Sequence, residues 1–274
     1  MGYYDEAYLQ RLKDERFPPE LSIAPVRYEF HQPPLYYLLA ALVYWLSGGS
    51  LLALRLFSAL IGAGVIWLLS LCLQTLFPEK PGVVLAATAF VAFLPMHIAI
   101  LSAVNNDALA ELIIAGALLA LLRWREELQV AGGKGQVAGG KGQVAGDDAP
   151  RTTHHAIRLG LLVGLGFLTK ATAYILLPVV LLTIVAAVAT RTFTIHNSQF
   201  TIYNSLPPLL LVLLTSLLLG LPLWLRNIAV YGGLDFLGLA WHDRVVTGQP
   251  TTADWIAANG WPAYWDRAWT FTFK

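Results

Sequence analysis

Four stretches of the chain contain no Asp, Glu, Lys or Arg: residues 56–77, 83–101, 171–190 and 206–225, which span 22, 19, 20 and 20 positions. At ~1.5 Å rise per residue, about 20 apolar residues cross a ~30 Å hydrocarbon layer, so each stretch is long enough to span it as a helix. A further apolar stretch, 108–122, is followed by Arg123 and Arg125, whose long stems let their charges snorkel to the membrane boundary. Residues 159–190 would measure ~48 Å as one helix, which overshoots the layer. Lys170 lies inside them, and a lysine at the bilayer centre costs at least ~2.5 kcal/mol, so the pattern predicts a fold-back there. The expectation is an all-α membrane protein, a polytopic bundle with about six transmembrane helices. Residues 35–47 are too short to cross and carry Tyr36, Tyr37, Tyr44 and Trp45, which predicts an interfacial helix at the headgroup boundary.

Composition agrees. The chain has 274 residues, 57% hydrophobic and 13% charged, against roughly 45–50% and about 25% for a soluble domain. Net charge is +1, which gives no bulk electrostatic reason to expect a nucleic-acid partner. Cys72 is the single cysteine, so no intrachain disulfide forms and packing is its expected role. The first residues are acidic and no apolar run precedes Leu35, so no signal peptide is legible.

Residues 123–158 hold six Lys/Arg, and Gln-Val-Ala-Gly-Gly-Lys-Gly occurs at 129 and again at 136. Its glycines oppose helix formation, so a flexible linker is predicted. The positive-inside rule assigns it to the cytoplasm. Alternation then gives 1–55 as an external loop with juxtamembrane helices, 56–122 and 159–225 as two sets of three crossings, and 226–274 as a second, truncated external loop. A near-repeat of seven residues at 193 and 200 reads as a tolerated insertion.

On that topology five polar clusters share the external face: Asp5-Glu6, His31-Gln32, Asn106-Asp107, Lys170 and Arg226-Asn227. Each has a plain structural alternative. Asp107 suits a helix N-cap, Lys170 and Arg226 suit membrane-edge anchors, and the acidic pair suits a solvated surface. Together they offer carboxylates for general-base work and cations for a departing lipid phosphate, the combination that glycosyl transfer from a lipid-linked phosphosugar requires. Gly160, Gly164 and Gly166 lack the strand and the Gly-Lys-Ser/Thr ending of a nucleotide loop, so small-residue helix packing is expected of them. His97 and His154-His155 have no acidic or cysteine partner at ligand spacing, and no metal site is predicted.

These residues resemble the GT-C polytopic glycosyltransferases, in the protein O-mannosyltransferase-like and lipid A aminoarabinose transferase-like branch. The resemblance is carried by Asp5-Glu6 followed by Tyr8, by His31-Gln32-Pro33-Pro34-Leu35-Tyr36-Tyr37 and by Leu54-Arg55-Leu56-Phe57-Ser58-Ala59-Leu60. It continues in Asn105-Asn106-Asp107-Ala108-Leu109, in Gly164-Leu165-Gly166-Phe167-Leu168-Thr169-Lys170, and in Leu223-Trp224-Leu225-Arg226-Asn227 before Tyr231-Gly232. It implies a polyprenyl-phosphate sugar donor, a glycan, lipid or protein acceptor, and a multi-pass protein of the plasma (inner) membrane among membrane lipids, with its site on the external or periplasmic face. It implies Asp5 as the catalytic acidic residue with Glu6 beside it, and Asp107 as the second acidic position. Tyr8, His31, Gln32, Asn106 and Asn227 then line the donor and acceptor pocket. The aminoarabinose-type enzymes have a basic residue where Gln32 stands, which passes the phosphate contact to Lys170, Arg27 or Arg226. Some GT-C enzymes use a divalent cation and others none, so the resemblance leaves the cofactor open. Family members carry a transmembrane helix before the acidic pair and several after Arg226, which implies a fragment or a misassigned start. The expected reaction is a one-step, inverting transfer with Asp5 as base. A transporter or flippase-like subunit is the alternative from another class, and an inactive fragment is a third.

Overall fold

The computed structural model describes residues 6–16, 18–22, 31–137, 148–194, 198–240, 242 and 252–270. Among these no strand occurs, and the chain is helical. It divides into two units, one formed by Gln32–Leu223 and one by Met1–His31 with Trp224–Lys274.

In the larger unit, α2 (Leu35–Leu46) is the short aromatic helix expected at an interface, with Trp45 and Leu46 among its exposed residues. Its Tyr36 is buried, and the Oη lies 2.7 Å from the Oγ of buried Ser58. That bond fastens α2 to α3 (Leu51–Leu76), which begins five positions earlier than the charge pattern predicts. Ser50 explains the early start, because its hydroxyl caps the helix by accepting from the Ala53 N–H at 3.3 Å. Arg55 therefore lies inside α3, one turn from its end.

The stretch 83–101, expected as one crossing, is two helices. Pro81–Ala92 forms α4 and Pro95–Leu101 forms α5, and they meet at a bend of 63°. Pro95 is the cause: it has no N–H to give the preceding turn, and its ring clashes with the carbonyl four residues earlier, so the helix stops and restarts with Pro95 in its first turn.

Helix α6 (Asp107–Val137) packs most extensively on α3 and also lies against α7 (Asp148–Phe167). Contrary to a linker starting at residue 123, α6 continues through the first glycine-rich copy. Extending an existing helix needs no new nucleus, so a long helix tolerates the ~1 kcal/mol that each glycine costs. The second copy lies mostly outside the described residues. The break at Lys170 is present: α7 ends at Phe167, a 3₁₀ turn covers Ala171–Ile175, and α8 runs over Leu176–Thr194. Next comes α9 (Ser198–Tyr231), whose start absorbs the near-repeat and whose end passes into the smaller unit.

The glycines of α7 do pack helices. A Cβ at Gly160 would collide with Thr215 Oγ1 and sit 2.9 Å from the Val212 carbonyl oxygen. One at Gly164 would lie 2.7 Å from Leu219 Cβ, so α7 and α9 approach to backbone contact.

Among the described residues, two helices are long and apolar enough to cross a membrane, α3 and the Leu206–Tyr231 part of α9, or three if the bent α4–α5 pair is one span. The expected six do not follow from the helices. In α6 only residues 112–122 separate Glu111 from Arg123, and α7 carries Arg158 beside a short apolar end. The all-helical membrane character stands, and the described helices supply two or three candidate crossings toward the expected six.

In the smaller unit, α1 (Glu6–Asp14) buries Leu12, and its Tyr8 Oη donates to the Ser22 carbonyl at 2.6 Å. Helix α10 (Thr252–Thr270) kinks at Gly260, whose φ of 81° suits a residue without a Cβ.

Candidate functional site

Three breaks between helices meet in the larger unit. The first is the turn of residues 102–106 between α5 and α6. Asn105 Oδ1 accepts from the Asp107 N–H at 3.1 Å, which ends the turn and starts α6 at Asp107. The second is the end of α7, where Thr169 folds its hydroxyl back onto the Leu165 carbonyl at 2.7 Å and Lys170 is extended. The third is the Gln32-Pro33-Pro34 entry to α2, tied to α7 by the Leu35 N–H donating to the Leu168 carbonyl at 2.8 Å.

Four of the sequence-predicted residues come together at this junction. Asn106 is 5% exposed, and its Nδ2 donates to the Thr169 carbonyl at 2.9 Å and to Gln32 Oε1 at 3.4 Å. The neighbouring Lys170 Nζ donates to Asp107 Oδ1. The fold thus gives the lysine a carboxylate counter-ion, which answers the cost of an ammonium among apolar helices. Side-chain exposure is 26% for Lys170 and 35% for Asp107, so the pair is open to an approaching molecule. An ammonium has three donors and Asp107 occupies one, leaving capacity for an anionic oxygen.

The other predicted residues fall in the smaller unit or outside the described chain. Asp5 and Arg27 are outside the described residues, and Glu6 is the first residue of α1. Tyr8 is occupied by Ser22, as given above. His31 stacks edge-on with His242, ring centroids 4.8 Å apart, and lies against Gly238, where a Cβ would collide with it. Asn227 is buried, and its Nδ2 closes the loop after α9 by donating to the Phe236 carbonyl at 2.9 Å. Arg226 donates to Asn227 Oδ1 at 2.8 Å and to Tyr231 Oη at 3.1 Å, with its guanidinium 5.5 Å from the Tyr231 ring centre.

One pair escaped the sequence reading. His97 Nε2 of α5 lies 2.8 Å from Glu111 Oε2 of α6, and His97 Nδ1 lies 3.3 Å from the Val91 carbonyl. The two residues stand about one helical turn either side of the Ser102–Asn106 turn, so the pair clasps the hairpin that presents Asn106 and Asp107. The signal was available: Pro95 restarts the helix, and Glu111 follows Asp107 by four positions, on the same helix face. Among the described residues no group of three His, Cys, Asp or Glu side chains gathers for a metal ion.

Comparison with known proteins gives one family. Residues 31–132 match the dolichyl-phosphate-mannose-protein mannosyltransferase family. The match begins at His31, spans α2 to α5 and takes in the Asn105-Asn106-Asp107 turn with most of α6. No curated protein and no solved structure matches the chain. The matched segment covers the junction's Gln32, Asn106 and Asp107 and is similar to that family, which, with apolar helices able to cross a bilayer, supports a GT-C, mannosyltransferase-like membrane protein.

Proposed function

We propose that the protein transfers a sugar from a polyprenyl-phosphate donor to an acceptor hydroxyl at the external face of the plasma membrane, in one step that inverts the anomeric centre. The observation that carries this reading is the meeting of Gln32, Asn106, Asp107 and Lys170 at one junction, three of them inside the matched segment. Such a junction, partly open and at the end of apolar helices, suits a ligand whose phosphate is polar and whose chain lies in lipid. Lys170 takes the donor phosphate with its remaining N–H donors and stabilises the charge that develops as the sugar departs. Arg226 and Arg27 are the further phosphate contacts in this reading, and Tyr8, His31 and Asn227 the remaining pocket residues. Asp5 acts as general base on the acceptor hydroxyl, a role that rests on the resemblance of Asp5-Glu6. Glu6 and Asp107 shape its surroundings.

The external placement is part of this proposal: the basic character of residues 123–158 supports it through the positive-inside rule, with α6 crossing between them and the Asn105-Asn106-Asp107 turn. Transport is the second reading, and one observation favours it: the broken α4–α5 pair has the ionisable His97 and Glu111 beside the break. Transporters keep such groups near the bilayer midplane on discontinuous helices. Here the pair lies one turn from the end of the hairpin and is closed upon itself, which favours a clasp.

Substitution of the base tests the reaction. General-base contributions are typically ~10²–10⁴-fold, so Asp5→Asn lowers turnover on that scale with donor affinity nearly unchanged, and Asp107→Asn has a milder effect. Unimpaired turnover of Asp5→Asn removes Asp5 from the mechanism. A product that retains its anomeric configuration replaces the single displacement with a covalent intermediate.

A further inference from the structure

At the opposite end of α7 from Lys170, a groove of about 540 Å³ opens between α6 and α7, lined by Gly116, His154, Ile157, Arg158, Leu161 and Leu162. The α7 residues recur at the spacing of one helix face, with the polar pair at its start and the leucines further along. Gly116 keeps the groove open on the α6 side: the nearest atoms to a Cβ there are Leu162 Cδ2 and Leu68 Cδ1, each 3.8 Å away.

Neither His154 nor Arg158 has an ion-pair partner among the described residues. Their depth follows from the packing of α7 on α9. Gly160 lies against Val212 and Thr215, and Gly164 against Ser216 and Leu219, so the two helices run in parallel register. Arg158, two residues before Gly160, is therefore level with about residues 210–213, one to two turns (~6–10 Å) inside the apolar run that starts at 206. A guanidinium at that depth reaches the headgroup level by extending its stem along the helix. It arrives there as a permanent charge with a planar fork of donors that matches phosphate.

We propose that this groove binds an anionic phospholipid of the bilayer. The Arg158 guanidinium and the His154 ring hold the headgroup phosphate, and an acyl chain lies along Ile157, Leu161 and Leu162 over Gly116. A cation that no described residue pairs, with apolar side chains directly below it, is the arrangement in which basic pockets between membrane helices take lipid headgroups. The site is separate from the Asp107–Lys170 junction, twelve residues further along the chain, and does not depend on the reading as a glycosyltransferase.

The test uses the full chain in nanodiscs of phosphatidylglycerol and phosphatidylcholine at one to three, with lipids retained on release counted by native mass spectrometry. The expected result is phosphatidylglycerol enriched at least about fivefold over its share of the bilayer, the scale for one basic side chain near a membrane surface. Arg158→Gln should remove most of that enrichment. Gly116→Leu, which fills the apolar floor without touching a charge, should do the same. Arg125→Gln, on the exposed part of α6 outside the groove, should leave it unchanged. Absence of enrichment, or enrichment that survives both groove variants, overturns the proposal. Displacement of the lipid by millimolar inorganic phosphate also overturns it, because the site then recognises a free anion and the apolar floor has no part.

Discussion

The Asp107–Lys170 pair joins positions 63 apart in the chain, and a double-mutant cycle measures whether the junction exists as described. Lys170→Met leaves a carboxylate without its cation, Asp107→Ala leaves an ammonium without its anion, and the double variant removes both charges. A hydrogen bond to a charged group contributes roughly 1.5–3 kcal/mol when shielded, whereas exposed ion pairs contribute about 0–1 kcal/mol. With a quarter to a third of each side chain exposed, the coupling should fall between these ranges, at about 1–2 kcal/mol. Any favourable interaction of Asp107 with the amino end of α6 is lost equally in the single and double variants, so it cancels from the cycle. For a chain of this size about 1 kcal/mol corresponds to ~2–4 °C in Tm. Thermal denaturation in detergent should therefore find the double variant about 2–8 °C more stable than the sum of the single losses. Additivity within ~0.5 kcal/mol, the behaviour of independent sites, would refute the contact and with it the convergence of the three breaks.

Two further outcomes follow from other parts of the fold. Gly160→Ala and Gly164→Ala force α7 away from the backbone of α9 and should each cost about 1–3 kcal/mol, the usual penalty of overpacking. Gly116→Ala meets only ordinary contacts at 3.8 Å and should be neutral or stabilising by up to ~1 kcal/mol, so equal effects at all three positions would refute the packing. For topology, a cysteine replacing Ala138 should stay unlabelled by an impermeant thiol reagent in intact cells and react once the membrane is opened. Labelling from outside would invert the orientation and separate the acidic residues from the external face.

Sequence alone carried the helical, membrane-embedded character because charge-free runs of 19 to 22 residues match the hydrocarbon thickness of a bilayer. It also located the break at Lys170, through the cost of a buried ammonium, and the packing role of Gly160 and Gly164. The bend at Pro95 was legible too, but hydropathy averages over a stretch and is insensitive to a missing N–H. The partners of the polar residues were not legible. Asp107 finds Lys170, and Asn106 finds Thr169, across more than 60 positions, and nothing in local spacing specifies such contacts. His97 and Glu111 stand on different helices either side of a turn, so no ligand motif relates them, and the only signal is indirect: the restart at Pro95 and the Asp107-to-Glu111 spacing on one face of α6. The same holds for Asn227, whose amide donates to the loop carbonyl of Phe236, a contact that local spacing does not specify.

The most direct test of the account is donor choice. The purified protein in proteoliposomes is offered polyprenyl-phosphate sugars and, separately, soluble nucleotide sugars without polyprenyl lipid, and sugar transfer to acceptor is followed by radiolabel. The account predicts transfer from the lipid donor alone, and its loss on Lys170→Met. Equal transfer from a nucleotide sugar in the absence of polyprenyl lipid would contradict it.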